Sequence, residues 1–144
     1  MISTVVTPVI PNQCQVAADV GFVLDSSGSL SSHYQKEKDF VKELASKFGI
    51  DTQDSRVGVV TFSTDAVLSI KLDEYSTLSD FQQAVDNIPL MGKLTRIDKG
   101  LRVAQNELYA LANGARAGLP KILVLLTDGT QTQQQDAEDP NRCC

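Results

Sequence analysis

Apolar residues recur along this chain in two patterns, short continuous runs and stripes with helical spacing. The runs at residues 17–24, 57–62 and 122–126 predict buried strands, and the run at 57–62 is expected to be buried on both faces, as in a parallel sheet. Residues 68–72 alternate between apolar and polar side chains, which predicts a half-exposed strand at a sheet edge. The chain is therefore expected to contain four strands.

Stripes with helical spacing predict three helices between these strands. The first is capped by Ser31 and Ser32 and ends at Gly49, the second follows Ser79, and the third spans residues 96–112. The apolar positions of the three stripes are Phe40, Val41, Leu44, Ala45 and Phe48; Leu78, Phe81, Val85 and Ile88; and Ile97, Leu101, Ala104, Leu108 and Leu111.

The order strand, helix, strand, strand, helix, helix, strand predicts an α/β fold. A doubly wound, mostly parallel sheet with helices on both faces is the arrangement that this order favours. In such sheets ligands bind beyond the carboxyl ends of the strands, at the point where the strand order reverses. Residues that directly follow a buried strand are therefore the first candidates for a functional site.

Candidate metal ligands follow the first strand. Asp25, Ser27 and Ser29 supply one carboxylate and two hydroxyls around Gly28, and oxygen ligands of this kind suit Mg²⁺, Mn²⁺ or Ca²⁺ rather than zinc. Taken alone, the triplet is weak support, because Asp and Ser also cap helix N-termini.

Two further residues strengthen the prediction of a site. Asp128 follows the last predicted strand, and Thr95 lies where a loop enters the third helix. Both positions face the same crevice in a doubly wound sheet. The five predicted ligands are Asp25, Ser27, Ser29, Thr95 and Asp128.

Composition narrows the class of protein. With 144 residues, 42% of them hydrophobic and 22% charged, the chain suits one globular domain. A net charge of −5 argues against nucleic-acid binding, which needs clustered basic residues. No apolar run is long enough to span a membrane, and residues 1–11 lack the features of a secretion signal. We therefore expect neither a membrane anchor nor a secretion signal in this sequence.

The three cysteines, Cys14, Cys143 and Cys144, lie near the two ends of the sequence. A disulfide between Cys14 and one of the other two would fit an oxidising, extracellular setting. Free thiols on frayed ends are an equally good interpretation. The odd number leaves one thiol for an intermolecular partner.

Three separated motifs resemble the von Willebrand factor type A domain. They are Asp25-Ser-Ser-Gly-Ser29, Gly92-Lys-Leu-Thr95 and Leu126-Thr-Asp-Gly129, and residues 57–63 also resemble the second strand of that family. The resemblance divides the chain into a leader or linker at 1–16, the domain at 17–131 and a polar acidic tail at 132–144 that carries the terminal Cys pair.

The resemblance implies a metal-ion-dependent adhesion site (MIDAS). Ser27, Ser29 and Thr95 would supply hydroxyl ligands, and Asp25 and Asp128 would hold the ion directly or through water. Mg²⁺ or Mn²⁺ is the implied ion, with Ca²⁺ less suitable. An acidic side chain of a protein ligand, such as a matrix or collagen-like protein, would complete its coordination. The implied location is extracellular, as in a secreted or matrix protein, and an intracellular assembly module is the alternative.

Two departures from the family pattern are visible. Ile97 stands where many relatives carry a second Thr. Residues 130–144 contain no predicted strand, although the family continues with further strands and helices. The domain is therefore expected to be incomplete at its C-terminal end, which would leave residues 122–126 as an unprotected edge. Self-association through this edge, or through a terminal Cys, is a further expectation.

Enzyme activity is the competing class, and the sequence argues against it. A haloacid-dehalogenase-type phosphatase needs a second Asp where this chain has Ser27, and His33 is the only histidine available as a base. Phosphate-binding and dinucleotide-binding glycine motifs are absent.

The charged residues near the predicted site have simpler interpretations. Residues 36–39 are interpreted as a solvated helix face, and Lys93 and Arg96 are interpreted as basic residues that steer an acidic partner.

Overall fold

The computed structural model describes residues 16–28 and 32–128. A sheet of four strands with the order β3-β2-β1-β4 forms its centre. β1 pairs in parallel with both β2 and β4, whereas β3 runs antiparallel to β2, so the mostly parallel sheet is confirmed. The strands are β1 Asp19–Asp25, β2 Arg56–Phe62, β3 Ala66–Ile70 and β4 Lys121–Leu126.

Helices cover both faces of this sheet, as predicted. They are α1 Tyr34–Ala45, α2 Leu78–Asp86 and α3 Ile97–Val103, and a π-helical stretch, Ala104–Leu108, continues α3. Successive side chains of a strand point to opposite faces, and β1 therefore supplies both cores. Phe22 packs with residues of α1 and α2, and Val23 with the π-helical stretch. No helix in the described ranges has the length and apolar character needed to cross a bilayer.

Several predicted helix positions are wrong in detail. Phe40 was placed on the buried stripe of the first helix, but it is 47% exposed. α2 begins at Leu78 rather than after Ser79, because the hydroxyl of Thr77 accepts a hydrogen bond from the backbone N–H of Asp80 at 3.3 Å and caps the helix. Leu111 is 71% exposed, since the wider turns of the π-helical stretch interrupt the regular stripe before it.

The apolar run of β4 predicts a buried strand, and this is wrong, since none of its residues is buried. Ile122, Leu123 and Leu125 each expose about two fifths of their surface. Among the described residues β4 pairs with β1 alone, so no second strand in that part of the chain pairs with its outer edge. The expectation of an open sheet edge stays a prediction, because residues 129–144 lie outside the described residues.

A cluster of charged groups joins the start of β1 to the loop before β4. Asp19 is fully buried and accepts hydrogen bonds from Arg116, from the backbone N at 2.6 Å and from Nε at 2.9 Å. Lys121 Nζ lies 3.0 Å from its second oxygen. Burial raises the pKa of Asp19, but the hydrogen bonds from Arg116 and Lys121 outweigh burial and hold the pKa below its usual range.

We predict that Asp19→Asn lowers the free energy of unfolding by about 3 kcal/mol, because it breaks a buried ion pair. Since the pKa of Asp19 is lowered in the folded state, its stabilising effect is present above the pKa of the unfolded chain and is lost as the pH falls through the folded value. Urea unfolding at neutral and acidic pH measures both effects.

The control is Asp39→Asn, which removes an exposed ion pair with Lys42 and should change stability little. Equal effects of the two substitutions would contradict the role of the buried cluster.

Candidate functional site

The predicted site lies where the strand order reverses. From β1 the chain continues to β2 on one side, whereas β4 pairs with the other side of β1. The carboxyl ends of β1 and β4 therefore flank the crevice that doubly wound sheets use for ligands. Asp25 ends β1 and is fully buried, and Asp128 follows β4 and is exposed.

Both oxygens of the Asp25 carboxylate are held by hydrogen bonds. Ser27 donates its backbone N–H to Oδ1 at 2.9 Å, and Thr127 donates its hydroxyl to Oδ2 at 2.8 Å. The first bond forms a tight turn after β1, and the second ties that turn to the end of β4. The sequence analysis assigned no role to Thr127, although it lies inside the quoted motif around Asp128.

Ser26 fastens the loop after β1 to the loop that carries Thr95. Its hydroxyl accepts a hydrogen bond from the N–H of Met91 at 2.7 Å and donates one to the carbonyl of Pro89 at 3.4 Å. Its carbonyl accepts the N–H of Gly92 at 2.8 Å, and its own N–H reaches Phe62 O at 2.8 Å. Ser26 is fully buried, and sequence reasoning passed over it because Ser is an ordinary turn residue.

Thr95 is buried, and the segments on either side of it are fixed. The carbonyl of Lys93 accepts the N–H of Gly28 at 3.2 Å, and the N–H of Arg96 reaches Ser63 O at 3.0 Å. Lys93 has a φ of 71°, a left-handed conformation that costs a residue with a side chain roughly 1 kcal/mol or more. The surrounding hydrogen bonds maintain this turn.

The structure thus places four of the five predicted ligands, Asp25, Ser27, Thr95 and Asp128, on connected loops at one edge of the sheet. Ser29 lies outside the described residues. No three His, Cys, Asp or Glu side chains in the described ranges are grouped so that they alone could hold a metal ion. Any ion bound here would depend on hydroxyl ligands and water.

Glu37 is an acidic residue of this site that the sequence analysis assigned to a solvated surface. It lies in the first turn of α1, and its Oε2 atom is buried without a hydrogen-bond partner among the described residues. Burial, followed by the negative charges of Asp25 and Asp128, raises the pKa of Glu37 to about 7. None of the three motifs includes this position, and a Glu on a charged helix turn is typical of a solvated surface.

One basic residue near the site differs from expectation. Lys38 was assigned to the solvated face, but it is buried, and its Nζ donates to the carbonyl of Asp86 at 2.9 Å. The guanidinium of Arg96 forms a two-bonded ion pair with Asp98 at 2.8 and 2.9 Å, and its role in steering a partner stays a prediction.

We predict that Ser26→Ala destabilises the protein by about 1–3 kcal/mol, since it leaves the partly buried N–H of Met91 without its partner. Thermal and urea unfolding measure the change. The control is Ser32→Ala at an exposed hydroxyl that contacts neighbouring His33, and we expect little effect there. Equal stability of the two variants would show that the Ser26 contacts are unimportant.

Comparison with protein families supports the resemblance. The model of the von Willebrand factor type A domain matches residues 19–144. The human collagen alpha-5(VI) chain is 34% identical over 126 residues, a match that covers 87% of this chain and 5% of the collagen chain. Matrilin-1 of Gallus gallus is 27% identical, and the match covers 78% of this chain and 23% of the matrilin. The chain thus spans only a small part of these relatives.

Solved structures agree with this comparison. Proximal thread matrix protein 1 from the mussel byssus superposes with a TM-score of 0.79 at 30% identity, which covers 85% of this chain and 33% of that one. A further structure of the mussel protein has a zinc-occupied MIDAS motif. A metal ion thus occupies the corresponding motif of a structural relative.

Proposed function

Because the chain belongs to the von Willebrand factor type A domain family, we propose that it is a non-catalytic, metal-dependent adhesion domain that binds a protein ligand. The observation that carries the proposal is the buried carboxylate of Asp25, held at the strand-order reversal by bonds from Ser27 and Thr127. An acidic side chain of the ligand completes the coordination of the ion.

The chemistry of the site fits a hard divalent cation. Asp25 and Asp128 are the carboxylates, and Ser27, Ser29 and Thr95 are the hydroxyl ligands. Glu37, whose Oε2 is buried without a hydrogen-bond partner in the described ranges, adds a further carboxyl group, and burial and the charges of Asp25 and Asp128 raise its pKa to about 7. A bound ion supplies Lewis acidity that attracts a carboxylate of the partner.

Mg²⁺ or Mn²⁺ is the proposed ion, and Ca²⁺ is the less suitable one. Mg²⁺ takes oxygen ligands in an octahedron and retains water where the protein leaves positions open. The zinc in the mussel protein means that oxygen ligands alone do not exclude zinc here. A titration of the protein with metal ions should therefore include Zn²⁺.

An extracellular location and a matrix or collagen-like partner complete the proposal. Support comes from the similarity to collagen VI and matrilin chains. A disulfide of Cys14 with Cys143 or Cys144, all three outside the described residues, would strengthen it. Reduced thiols throughout the native protein would favour an intracellular assembly module instead.

Catalysis is the competing function, and the described residues support it less well than metal-dependent binding. His33, the single histidine, is exposed, and its Nδ1 lies 2.9 Å from the hydroxyl of the adjacent Ser32. Hydrolysis of ester or phosphate substrates that depends on Asp25 would reverse this assignment.

We predict that Mg²⁺ or Mn²⁺ stabilises the wild type by about 2.7 kcal/mol when the ion is present at a hundred times its dissociation constant. Asp25→Asn and Asp25→Ala remove the negative ligand, so they should abolish heat of binding and the metal-induced rise in melting temperature. Calorimetry with Mg²⁺, Mn²⁺ and Zn²⁺ and thermal melts provide the measurement.

Asp73→Asn is the matched control, because Asp73 is exposed and follows β3 at the opposite end of the sheet. It should bind metal as the wild type does. Metal binding that survives both Asp25 substitutions unchanged would refute the proposed site.

Self-association through the outer edge of β4 is proposed as a second interaction. Its support is the unpaired edge and the exposed side chains of Ile122, Leu123 and Leu125 in the described part of the chain. We predict concentration-dependent elution in size-exclusion chromatography under reducing conditions, which exclude disulfide-linked dimers.

Leu125→Lys should restore the monomer, because a charge on an edge strand opposes pairing. Leu101→Lys is the control, since Leu101 is equally exposed but lies on α3. A wild-type chain that stays monomeric at high concentration would rule out this interaction.

A further inference from the structure

We infer that Glu37 belongs to the ion site as an outer carboxylate, which accepts a hydrogen bond from a water molecule bound to the divalent cation. The inference rests on the proposed function and deepens it. It assigns a role in metal affinity to a residue of α1 that lies in none of the three motifs of the site.

The unsatisfied oxygen of Glu37 is the first observation. In the described part of the chain, Oε2 is the one buried side-chain oxygen or nitrogen without a hydrogen-bond partner. A buried polar atom left in this state costs about 1–3 kcal/mol, and more when it is charged. Such an atom is expected where a ligand or an ordered water provides the missing bond.

The charges around Glu37 are the second observation. In addition to burial, the negative charges of Asp25 at the end of β1 and of Asp128 after β4 act on Glu37. Lys38, the next residue on α1, points its Nζ at the carbonyls of Asp86 and Ile88 instead. No ion pair to Glu37 exists in the described ranges. Three carboxyl groups thus act on one region, and a divalent cation would balance their charge.

Support of the helix start does not account for the burial of Oε2. An acid in the first turn of a helix is stabilised by the positive end of the helix dipole while it remains exposed to solvent. Glu37 instead buries one oxygen where no described residue forms a hydrogen bond with it.

An outer position agrees with the spacing of the acidic groups. Since no three acidic, His or Cys side chains in the described ranges are grouped closely enough to hold an ion, Glu37 is not a third direct carboxylate beside Asp25 and Asp128. Divalent ions of this kind keep several water ligands, and a carboxylate can bind such a water. Groups in this outer position commonly change metal affinity by about 10- to 100-fold.

The test compares Glu37→Gln with Glu43→Gln in calorimetric titrations with Mn²⁺ and Mg²⁺ at neutral pH. Glu43 is an exposed residue of the same helix, so the control makes the same change of charge. We expect Glu37→Gln to weaken binding about 10- to 100-fold and Glu43→Gln to leave it unchanged. Metal-free Glu37→Gln should melt no lower than the wild type, because a neutral amide relieves the charge repulsion.

Luminescence lifetimes of bound Tb³⁺ in H₂O and D₂O count the waters on the ion. Equal numbers in wild type and Glu37→Gln are expected for an outer carboxylate, and an additional water in the variant would identify a direct ligand and overturn the inference. Wild-type affinity in Glu37→Gln would also overturn it while leaving the proposed function intact. A wild-type protein that binds no metal would refute the proposed function itself.

Discussion

The burial of β1 is the constraint on which the rest of this structure depends. Every residue of β1 is buried, because β2 and β4 pair with its two edges and helices cover its two faces. Such a strand can place a carboxylate at its end without water around it, provided that hydrogen bonds replace the lost solvation. Ser27 and Thr127 supply these bonds to Asp25, so the packing of the sheet and the geometry of the site have the same origin.

The loops around Asp25 are held by contacts that have no direct role in binding an ion. Ser26 connects the loop after β1 to the residues before Thr95, and Ser63 holds the backbone on the other side of Thr95. Preorganisation of this kind reduces the cost of assembling a site from distant segments, since the loops are ordered before any ligand arrives. Thr95 owes its position to these contacts, although its own sequence neighbourhood shows only a helix start and a short motif.

Predictions from the sequence were most accurate where one physical pattern dominated. Apolar runs identified β1, β2 and β4, and Asp25 and Asp128 lie at the carboxyl ends of the adjacent strands β1 and β4. The predicted burial of Phe40 and Leu111 is wrong, because helical spacing was extended over positions that tertiary packing leaves exposed. The predicted exposure of Lys38 is also wrong, since its ammonium group is buried and donates hydrogen bonds to the carbonyls of Asp86 and Ile88.

By itself the sequence determined the order of strands and helices, the α/β class and the motif positions at the strand ends, because these depend on local periodicity and turn chemistry. Only the tertiary structure decided which polar groups meet. The bond from Thr127 to Asp25, the contacts of Ser26 with Met91 and the approach of Glu37 to the acidic site join residues far apart in the chain. Such contacts follow from the pairing of strands and the packing of α1 on the sheet, which a local pattern does not encode.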